Sequence, residues 1–381
     1  MKVLTVNAGS SSIRLDVFAA AVDGARRVAA VHVARQEAAT VELVEKLLAR
    51  AGGGPVRAVA HRVVHGGGRL VRTCVIDAAV ERGIEHVAPL APLHNPLALE
   101  WIRVCRSVLG GTVPQIAVFD TAFFAGLPEV AHTYALPREV IRRHGIRRYG
   151  FHGIAHQAMW RGWRALRPDI LEGGRVIALQ LGAGCSITAI HDGRPLDTSM
   201  GFSPLEGLVM ATRSGDVDPG LLLYLQRAVG LTPDRLERML NEESGLLGVA
   251  GASADMRELL ASTQPDARLA VALYCYRARK YVGSYLAVLG GADAILFGGG
   301  VGENAPEIRA RILEGMTWAG IGLDTERNRR AAGTRAALHG PDSGTEIHVI
   351  PVDEAAILAE TAIALMATQS PTSTAKGDED A

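Results

Sequence analysis

Two stretches of small and hydroxyl-bearing residues have the composition of phosphate-binding turns. Residues 7–12 read Asn-Ala-Gly-Ser-Ser-Ser, and residues 182–186 read Gly-Ala-Gly-Cys-Ser. Successive backbone N–H groups in a glycine-containing turn form a cradle for an anion, and hydroxyl groups add further donors. Either stretch alone fits an ordinary connecting turn equally well. Their likeness, nearly half the chain apart, makes a pair of phosphate-binding turns as good an interpretation as a pair of ordinary connections.

Two arginines with apolar or glycine-rich neighbours could bind the same anions. Arg62 lies within an apolar run, and Arg213 lies in a turn-rich segment. The planar guanidinium group donates two parallel hydrogen bonds and therefore matches the oxygens of a phosphate or a carboxylate. In isolation, each arginine could instead form a buried structural ion pair.

The histidines suggest two other chemistries, which the surrounding residues do not support. His152 and His156 have a spacing that places two imidazoles on one helical face, but no third zinc ligand and no catalytic glutamate accompany them. His65 precedes three glycines, as in the oxyanion loop of esterases, yet the chain has no G-x-S-x-G nucleophile motif. His94 is typical of a residue that packs in a turn.

A third glycine-rich segment could bind a nucleotide in either of two ways. Residues 300–305 fit the pattern G-x-G-x-x-A after an apolar strand, with Asp324 or Glu326 about 20 residues further on. That pattern is found in NAD-binding folds, but the same glycines suit any loop that packs closely against a nucleotide. No lysine lies in a Gly-Lys-Ser/Thr sequence, so the chain has no P-loop.

These candidate groups must be positioned by a two-domain α/β protein. Residues 2–18 and 176–191 each predict a strand, a turn and a returning strand, which indicates a duplicated fold. Apolar strands at 115–119 and 346–352 run into Asp120 and into Asp353 with Glu354. In open α/β sheets, ligands gather at the carboxyl ends of the strands. We also predict helices over residues 96–109, 153–167, 221–242 and 267–289, and a disordered tail over residues 370–381.

The composition excludes several classes of protein. The chain has 381 residues, 40 Lys+Arg and 40 Asp+Glu, and 48% of its residues are hydrophobic. The balanced charge argues against partners such as nucleic acid or anionic membranes. No apolar run reaches the roughly 18–20 residues that cross a bilayer, and the N-terminus reads as a strand rather than a signal peptide. Four widely spaced cysteines suit reduced thiols and a cytoplasmic location.

Together these segments resemble the acetate kinase (acetate/propionate kinase) family. The resemblance extends over nearly the whole chain and rests on VNAGSSSIR, HRVVHGG, PLHNP, FDTAF, YGFHG, DTSMGFSPLEGLVMATRSGDVDP, FGGGVGEN and VIPVDE. It implies the fold of the actin–hexokinase–sugar kinase ATPases, with two duplicated ribonuclease H-like α/β domains around a nucleotide cleft. Domain I would comprise residues 1–121 and 356–381, and the nucleotide-binding domain II would comprise residues 122–355.

The resemblance also implies a role for each matching residue. Arg62, Arg213, Asp120 and His152 would be catalytic, with His94 as a supporting group. Asn7 and Glu354, with Asp120 nearby, would bind Mg²⁺ or, as an alternative, Mn²⁺. The pocket for the acyl methyl group would be formed by Val64, Leu93, Phe151 and Pro204. The nucleotide phosphates would contact Asn7, Ser10, Ser12, Arg14, Gln180, Leu181, Gly182, Ala183 and Gly184. The adenosine would contact Asp255, Met256, Arg257, Gly300, Val301, Gly302, Glu303 and Asn304.

The activity implied is reversible, magnesium-dependent transfer of a phosphoryl group from ATP to acetate by a homodimer. A carboxylate acceptor is already ionised at pH 7, so no general base is needed and Asp120 is expected to position metal and arginine. Three side chains at 180–185 depart from the usual His-Leu-Gly-Asn-Gly-Ser-Ser, Arg14 replaces a lysine, and the stretch from about 20 to 60 is short. A kinase for propionate or another short acid, and a nucleotide-binding homologue with weak or no activity, therefore stay open; an NAD-dependent oxidoreductase is a more distant alternative.

Overall fold

The computed structural model describes residues 1–9, 12–21, 24–34 and 39–369. The predicted phosphate contact at Ser10 and the predicted tail over 370–381 lie outside the described residues. The rest of the chain forms two sheets with helices on their faces. In the described part of the chain, every helix is too short or too polar to cross a bilayer.

The first sheet has six strands in the order β3-β2-β1-β4-β6-β5. The strands are β1 Lys2–Ala8, β2 Ser12–Ala21, β3 Gly24–Ala34, β4 Val56–Val63, β5 Cys74–Val75 and β6 Gln115–Phe119. The strands β1, β2 and β3 are antiparallel neighbours, whereas β1, β4 and β6 are parallel. The carboxyl ends of β1, β4 and β6 therefore meet at one edge of the sheet.

The second sheet repeats this topology. Its order is β11-β12-β10-β7-β8-β9, with β7 Arg175–Leu181, β8 Cys185–His191, β9 Arg194–Thr198, β10 Ala294–Gly298, β11 Ala336–Ala337 and β12 Glu346–Val349. Here β7, β8 and β9 are the antiparallel neighbours, and β7, β10 and β12 are parallel. The two-domain α/β fold with duplicated halves is thus confirmed. The third strand of each meander, β3 and β9, had no counterpart among the predicted elements.

Fifteen α-helices accompany the sheets. They are α1 Val41–Arg50, α2 Ala78–His86, α3 Asn95–Leu109, α4 Glu129–His132, α5 Arg138–His144, α6 Gly153–Leu166, α7 Pro219–Arg227, α8 Pro233–Glu242, α9 Gly245–Ala250, α10 Met256–Ala261, α11 Pro265–Leu289, α12 Gly299–Asn304, α13 Pro306–Leu313, α14 Thr325–Arg330 and α15 Glu354–Gln369. The count refers to the described ranges alone.

Alternation along the central strands explains how the first sheet is covered on both faces. Leu4 and Val6 of β1 pack in a cluster with Trp101 of α3, while Val3 packs with Leu358 of α15 on the other face. Successive side chains of a strand point to opposite faces, so a strand between two helical layers is apolar at nearly every position. The helix α15 therefore lies against the first sheet; the boundaries at 121/122 and 355/356 stay a prediction.

The helix predicted over residues 221–242 is two helices. α7 ends at Arg227 and α8 begins at Pro233, and Gly230 between them has φ of +78°. Glycine adopts this left-handed conformation without a steric penalty, and proline fits the first turn of a helix. The side chain of Thr232 then accepts a hydrogen bond from the backbone N–H of Arg235 and caps α8.

Candidate active site

The carboxyl ends of the parallel strands of both sheets face one cleft of about 630 Å³. The fold places Asn7 at the end of β1, Arg62 at the end of β4 and Asp120 directly after β6. The cleft brings together eighteen of the residues that the sequence nominated: Asn7, Ser12, Arg14, Arg62, Val64, His94, Asp120, Phe151, His152, Gln180, Gly182, Ala183, Gly184, Pro204, Arg213, Gly300, Glu303 and Glu354.

A buried polar network forms the wall of the cleft at the carboxyl ends of β1, β4 and β6. The Nη2 atom of Arg62 donates to Asp120 Oδ2 at 2.6 Å, and its Nε atom lies 3.1 Å from both carboxylate oxygens. The Nη1 atom of Arg62 donates to Asn7 Oδ1 at 3.1 Å and to Glu354 Oε2 at 3.3 Å. The amide of Asn7 in turn donates to Glu354 Oε2 at 2.7 Å. These contacts fix the guanidinium plane before any ligand binds.

The opposite charges in this network shift the pKa of one another. Burial acts to lower the pKa of Arg62, but the carboxylates of Asp120 and Glu354 outweigh it and raise that pKa. Burial raises the pKa of Asp120, and the Arg62 guanidinium opposes that shift. Arginine stays protonated throughout, so Asp120 keeps a cation within hydrogen-bond distance. Asp120 therefore holds the Arg62 guanidinium through hydrogen bonds to its Nε and Nη2 atoms.

His152 occupies a special backbone position at the start of α6. Its φ is +57°, and the following residue must be glycine, because a Cβ on Gly153 would lie 2.1 Å from the carbonyl oxygen of Asp120. Non-glycine residues with positive φ are uncommon and cluster at functional sites. Burial, together with the positive charges of Arg62 and Arg213, holds the pKa of His152 well below its usual value. The imidazole is therefore neutral at physiological pH.

Arg213 faces His152 across the second hairpin turn. Its Nη1 atom donates to the carbonyl oxygen of Pro204 at 2.6 Å. A Cβ on Gly184 would lie 3.0 Å from Arg213 Nη2 and 3.2 Å from His152 Cε1. Glycine at this position lets the turn approach both side chains closely. Arg62 and Arg213 thus reach the cleft from opposite domains.

The second hairpin turn exposes backbone rather than charged side chains. The backbone N–H of Gly182 bonds to the carbonyl of Gly184 at 3.1 Å, which closes the turn. The Cys185 thiol points into the core, where its sulphur lies 3.3 Å from the Tyr274 hydroxyl. Burial raises the pKa of that thiol. The Oε1 atom of Gln180 is buried without a hydrogen-bond partner among the described residues.

The glycine-rich segment after β10 forms the short helix α12, where the sequence predicted only a loop. Gly299 has φ of +76°, and a Cβ there would lie 2.6 Å from the carbonyl oxygen of Leu181. The carboxylate of Glu303 accepts from the backbone N–H groups of Gly299 and Val352, at 3.0 and 3.2 Å. This bridge joins the glycine segment to the strand-to-helix junction that ends at Glu354.

The predicted acyl pocket is split between two connected cavities. Val64 and Phe151 are buried beside the main cleft. Leu93 is 37% exposed and lines a neighbouring, mostly apolar cavity of about 960 Å³ instead. Pro204 and His94 line both cavities. The predicted acyl pocket therefore borders a second cavity with a mostly apolar lining.

Several nominated nucleotide contacts lie away from the walls of the main cleft. Asp255 caps the N-terminus of α10 and pairs with Arg257, while Met256 is buried. The side chain of Leu181 is in the domain II core. Val301, Gly302 and Asn304 belong to α12, where the Asn304 amide donates to the carbonyl of Gly300 at 2.9 Å. Their roles toward adenosine stay predictions.

The cleft also has residues that sequence reasoning missed. Gly9, His32, Gly299 and Val352 line it, and His32 contacts Arg14 across the β2–β3 pair. Ser186 and His156, which the sequence analysis named in the second turn and in the histidine pair, lie behind His152, and Ser186 Oγ is within hydrogen-bond distance of both imidazoles. Gly9 and Gly299 belong to motifs already recognised, so their positions were available. His32 is on the unpredicted strand β3, and no sequence pattern pointed to it.

Comparison with known proteins identifies the family. The model of the acetokinase family matches residues 19–360. The chain belongs to the acetokinase family. It is similar to an acetate kinase of Solibacter usitatus, with 42% identity over 94% of this chain and 97% of the relative. Among solved structures it is similar to Porphyromonas gingivalis acetate kinase, with 35% identity, a TM-score of 0.85 and coverage of 96% and 99%. A propionate kinase from Francisella tularensis has 33% identity, a TM-score of 0.83 and coverage of 94% and 98%.

This acetokinase cleft suits a magnesium ion that arrives with a nucleotide. Its oxygen donors are the amide oxygen of Asn7 and the carboxylates of Asp120 and Glu354. The described residues contain no group of three or more His, Cys, Asp or Glu side chains arranged to hold a metal. Magnesium is commonly bound by one or two carboxylates, waters and substrate phosphates rather than by a protein cage. The donor set therefore fits Mg²⁺ bound jointly with phosphate.

Proposed function

We propose that this acetokinase catalyses reversible phosphoryl transfer from ATP to the carboxylate of acetate, giving acetyl phosphate and ADP. The observation that carries the proposal is the pair of arginines from opposite domains, with His152 between them at the same cleft. Direct transfer brings two anions together and spreads negative charge over three equatorial oxygens. Two fixed guanidinium groups and an imidazole neutralise that charge without reorganising during the reaction.

In this mechanism each side chain has a separate task. Arg62, held by Asp120 and Asn7, binds the acceptor carboxylate and the phosphoryl group from domain I. Arg213 approaches from domain II, and the hairpin turns supply backbone N–H groups to the donor phosphates. The acceptor is ionised at neutral pH, so no residue needs to remove a proton. Asp120 acts by holding Arg62.

Asn7 and Glu354 would hold the magnesium ion, with Asp120 nearby. When bound, the ion neutralises phosphate charge and orients the donor. The residues of this chain keep Glu354 in place through the amide of Asn7, which donates to Oε2. That contact leaves the Oε1 atom of Glu354 for other ligands.

The protein is further proposed to be a cytoplasmic homodimer. Support for a second copy comes from apolar side chains on α7, where Leu221, Leu223 and Tyr224 are each exposed by about half. Solvent-exposed apolar patches of this kind mark interaction surfaces. Sedimentation velocity of the purified chain tests the assembly, and a monomer at micromolar concentration would contradict it.

A propionate kinase is the second candidate. The apolar cavity beside Leu93 and Pro204 offers room beyond a methyl group, and one similar solved structure is of a propionate kinase. An additional methylene in an apolar pocket changes the transition-state energy by only about 1–3 kcal/mol. The two acids must therefore be compared by measurement.

The test is trapping of acyl phosphate with hydroxylamine. Purified protein is incubated with ATP, Mg²⁺ and acetate, propionate or butyrate in parallel, and hydroxamate formation is measured. We expect turnover with acetate well above that of an Arg213→Ala variant. An exposed arginine on α5, Arg138→Ala, serves as the matched control. Nucleotide binding without hydroxamate from any acid would instead support a non-catalytic homologue with an altered second hairpin.

A further inference from the structure

Two buried residues behind the catalytic imidazole form a hydrogen-bonded chain. The Nδ1 atom of His152 lies 2.9 Å from Ser186 Oγ, and Ser186 Oγ lies 2.7 Å from Nε2 of His156. Ser186 and His156 are both fully buried. Ser186 is on β8, directly after the second hairpin turn, and His156 is one turn after His152 on α6. These hydrogen bonds therefore connect the second hairpin to His152, the proposed phosphoryl-binding histidine.

The neutral state of His152 makes the position of its proton decisive. A neutral imidazole has one N–H and one bare nitrogen. If the proton is on Nε2, the ring presents a donor to the cleft and can stabilise a phosphoryl oxygen. If the proton is on Nδ1, the ring presents a lone pair to that oxygen and repels it. The chain of contacts at Nδ1 decides between these tautomers.

We infer that Ser186 and His156 are positioning residues that hold the proton of His152 on Nε2. In this arrangement His156 Nε2–H donates to Ser186, whose hydroxyl donates to Nδ1 of His152. The inference rests on the proposed phosphoryl transfer and adds the residues that make the imidazole a donor. Ser186 and His156 touch neither substrate nor nucleotide in this scheme.

The far nitrogen of His156 distinguishes this arrangement from its reverse. His156 Nδ1 is buried and has no hydrogen-bond partner among the described residues. In the inferred direction that atom is a bare lone pair. In the reverse direction it would be a buried N–H without an acceptor, and orphaned N–H groups are the rarer and more costly case. If both rings donated to Ser186, the serine hydroxyl proton would lack an acceptor.

The positive charges of two nearby arginines oppose the Nε2–H tautomer of His152, so the hydrogen bonds at Nδ1 are needed to maintain it. Arg62 and Arg213 lie on the cleft side of His152, and their charges act on the ring. In the empty cleft, positive charge by itself would favour a lone pair on Nε2. The hydrogen bonds at Nδ1 must therefore keep the N–H in place before the phosphates arrive. Loss of the Ser186 hydroxyl removes the donor to Nδ1, so the Nε2–H tautomer should lose its preference and both tautomers should be populated.

The primary test is nitrogen NMR of the full-length protein labelled with ¹⁵N-histidine, without substrates. The His152 signals are assigned by their loss in His152→Gln. We expect Nδ1 of His152 to resonate as an unprotonated nitrogen and Nε2 as a protonated one, and the same for His156. A protonated Nδ1 on wild-type His152 would overturn the inference. The NMR measurement does not require turnover, so its result tests the tautomer independently of the proposed kinase activity.

Variants provide the second test. Ser186→Ala should give a mixture of the two His152 tautomers and lower kcat by about 10- to 100-fold, with the KM for acetate changed little. Ser186→Thr keeps the hydroxyl and should restore the wild-type spectrum. His156→Gln keeps a donor toward Ser186 and should keep the Nε2 proton, whereas His156→Leu should not. A Ser186→Ala protein whose His152 proton stays on Nε2 would contradict the chain, whatever its activity.

Discussion

The two hairpins at the cleft have one topology but use it differently. The turn between β1 and β2 is flanked by Asn7, whose amide is bonded to Glu354 and Arg62. The turn between β7 and β8 is flanked by Gln180, whose Oε1 atom is buried without a partner in the described chain. The first hairpin therefore lies in a charged, connected network, whereas the second is surrounded by backbone groups, a neutral histidine and the cation of Arg213.

This difference indicates a division of labour between duplicated halves. In the proposed mechanism the charged half binds the acceptor and carries the side chains that would hold the metal ion. In the other half, the backbone of the turn lies close to Arg213 and His152, which explains the glycine at position 184. Duplication supplies two equivalent turns, and the residues that flank each turn determine what it binds. The following predictions test this division, in order of decreasing effect.

The largest effect is expected for the arginines. Arg213→Ala removes a charge donor aimed at the reacting group, and loss of one such donor lowers the rate by about 10²–10³-fold. Arg62→Ala should have at least this effect and should also destabilise domain I, because it leaves Asp120 buried without its cation. Steady-state hydroxamate kinetics give the rates, and near-normal kcat for Arg213→Ala would refute its role.

The polar residues that flank the two turns, Asn7 and Gln180, should differ in their contribution to kcat/KM. Asn7→Ala removes hydrogen bonds to two charged groups, each worth about 1.5–3 kcal/mol, so we expect kcat/KM to fall by about 10–100-fold. Gln180→Ala removes at most one bond of a neutral amide and should change kcat/KM by less than about tenfold. Equal effects of the two variants would contradict the proposal that the two hairpins use their flanking polar residues differently. Gln180→His restores the residue common in the family and should not lower activity.

The stability of the folded protein should decrease at acidic pH, because both domains contain buried histidines. Burial lowers the pKa of His61 and of His65 to about 4 and that of His156 to about 3. The unfolded chain takes up protons on these groups below pH 6.5 while the folded chain does not, so stability falls as pH decreases from 6.5 toward 4. At pH 5, each of these histidines should therefore lower the free energy of unfolding by about 2 kcal/mol.

The measurement is the urea midpoint at pH 7.5 and at pH 5. His61→Asn should reduce the difference between the two pH values. Substitution of His86 or His144, which are exposed, should leave that difference unchanged. A midpoint that is the same at both pH values would show that the buried histidines do not titrate on unfolding.

A pair of glycines in the second turn gives the smallest and most local test. A Cβ on Gly184 would press on Arg213 and His152, whereas a Cβ on Gly182 would meet only the carbonyl oxygen of Gly184, at 3.5 Å. Gly184→Ala should lower kcat on the order of tenfold through displacement of these side chains. Gly182→Ala should stay within about twofold. Reversal of this order would mean that close approach at 184 is not required.

Local sequence patterns were sufficient for much of the site. The strand-to-acid junctions at Asp120 and Glu354 and the glycine turns followed from residue type and spacing alone. Eighteen residues that these patterns or the family resemblance nominated line one cleft. The helix break at Gly230 and the strand β3 were missed, because a weak local pattern does not compete well with packing against a sheet that the sequence alone does not reveal.

The sequence by itself determined the duplicated α/β fold, the family and the residue types at the cleft. Only the tertiary structure decided which atoms meet: the Arg62–Asp120 pair, the bridge from Glu303 to Val352, and the contact of Ser186 with two histidines. The physical reason is distance along the chain. Hydrophobic periodicity is local, whereas these hydrogen bonds join residues 30 to 58 positions apart, and only the packed sheets bring such residues within hydrogen-bond distance.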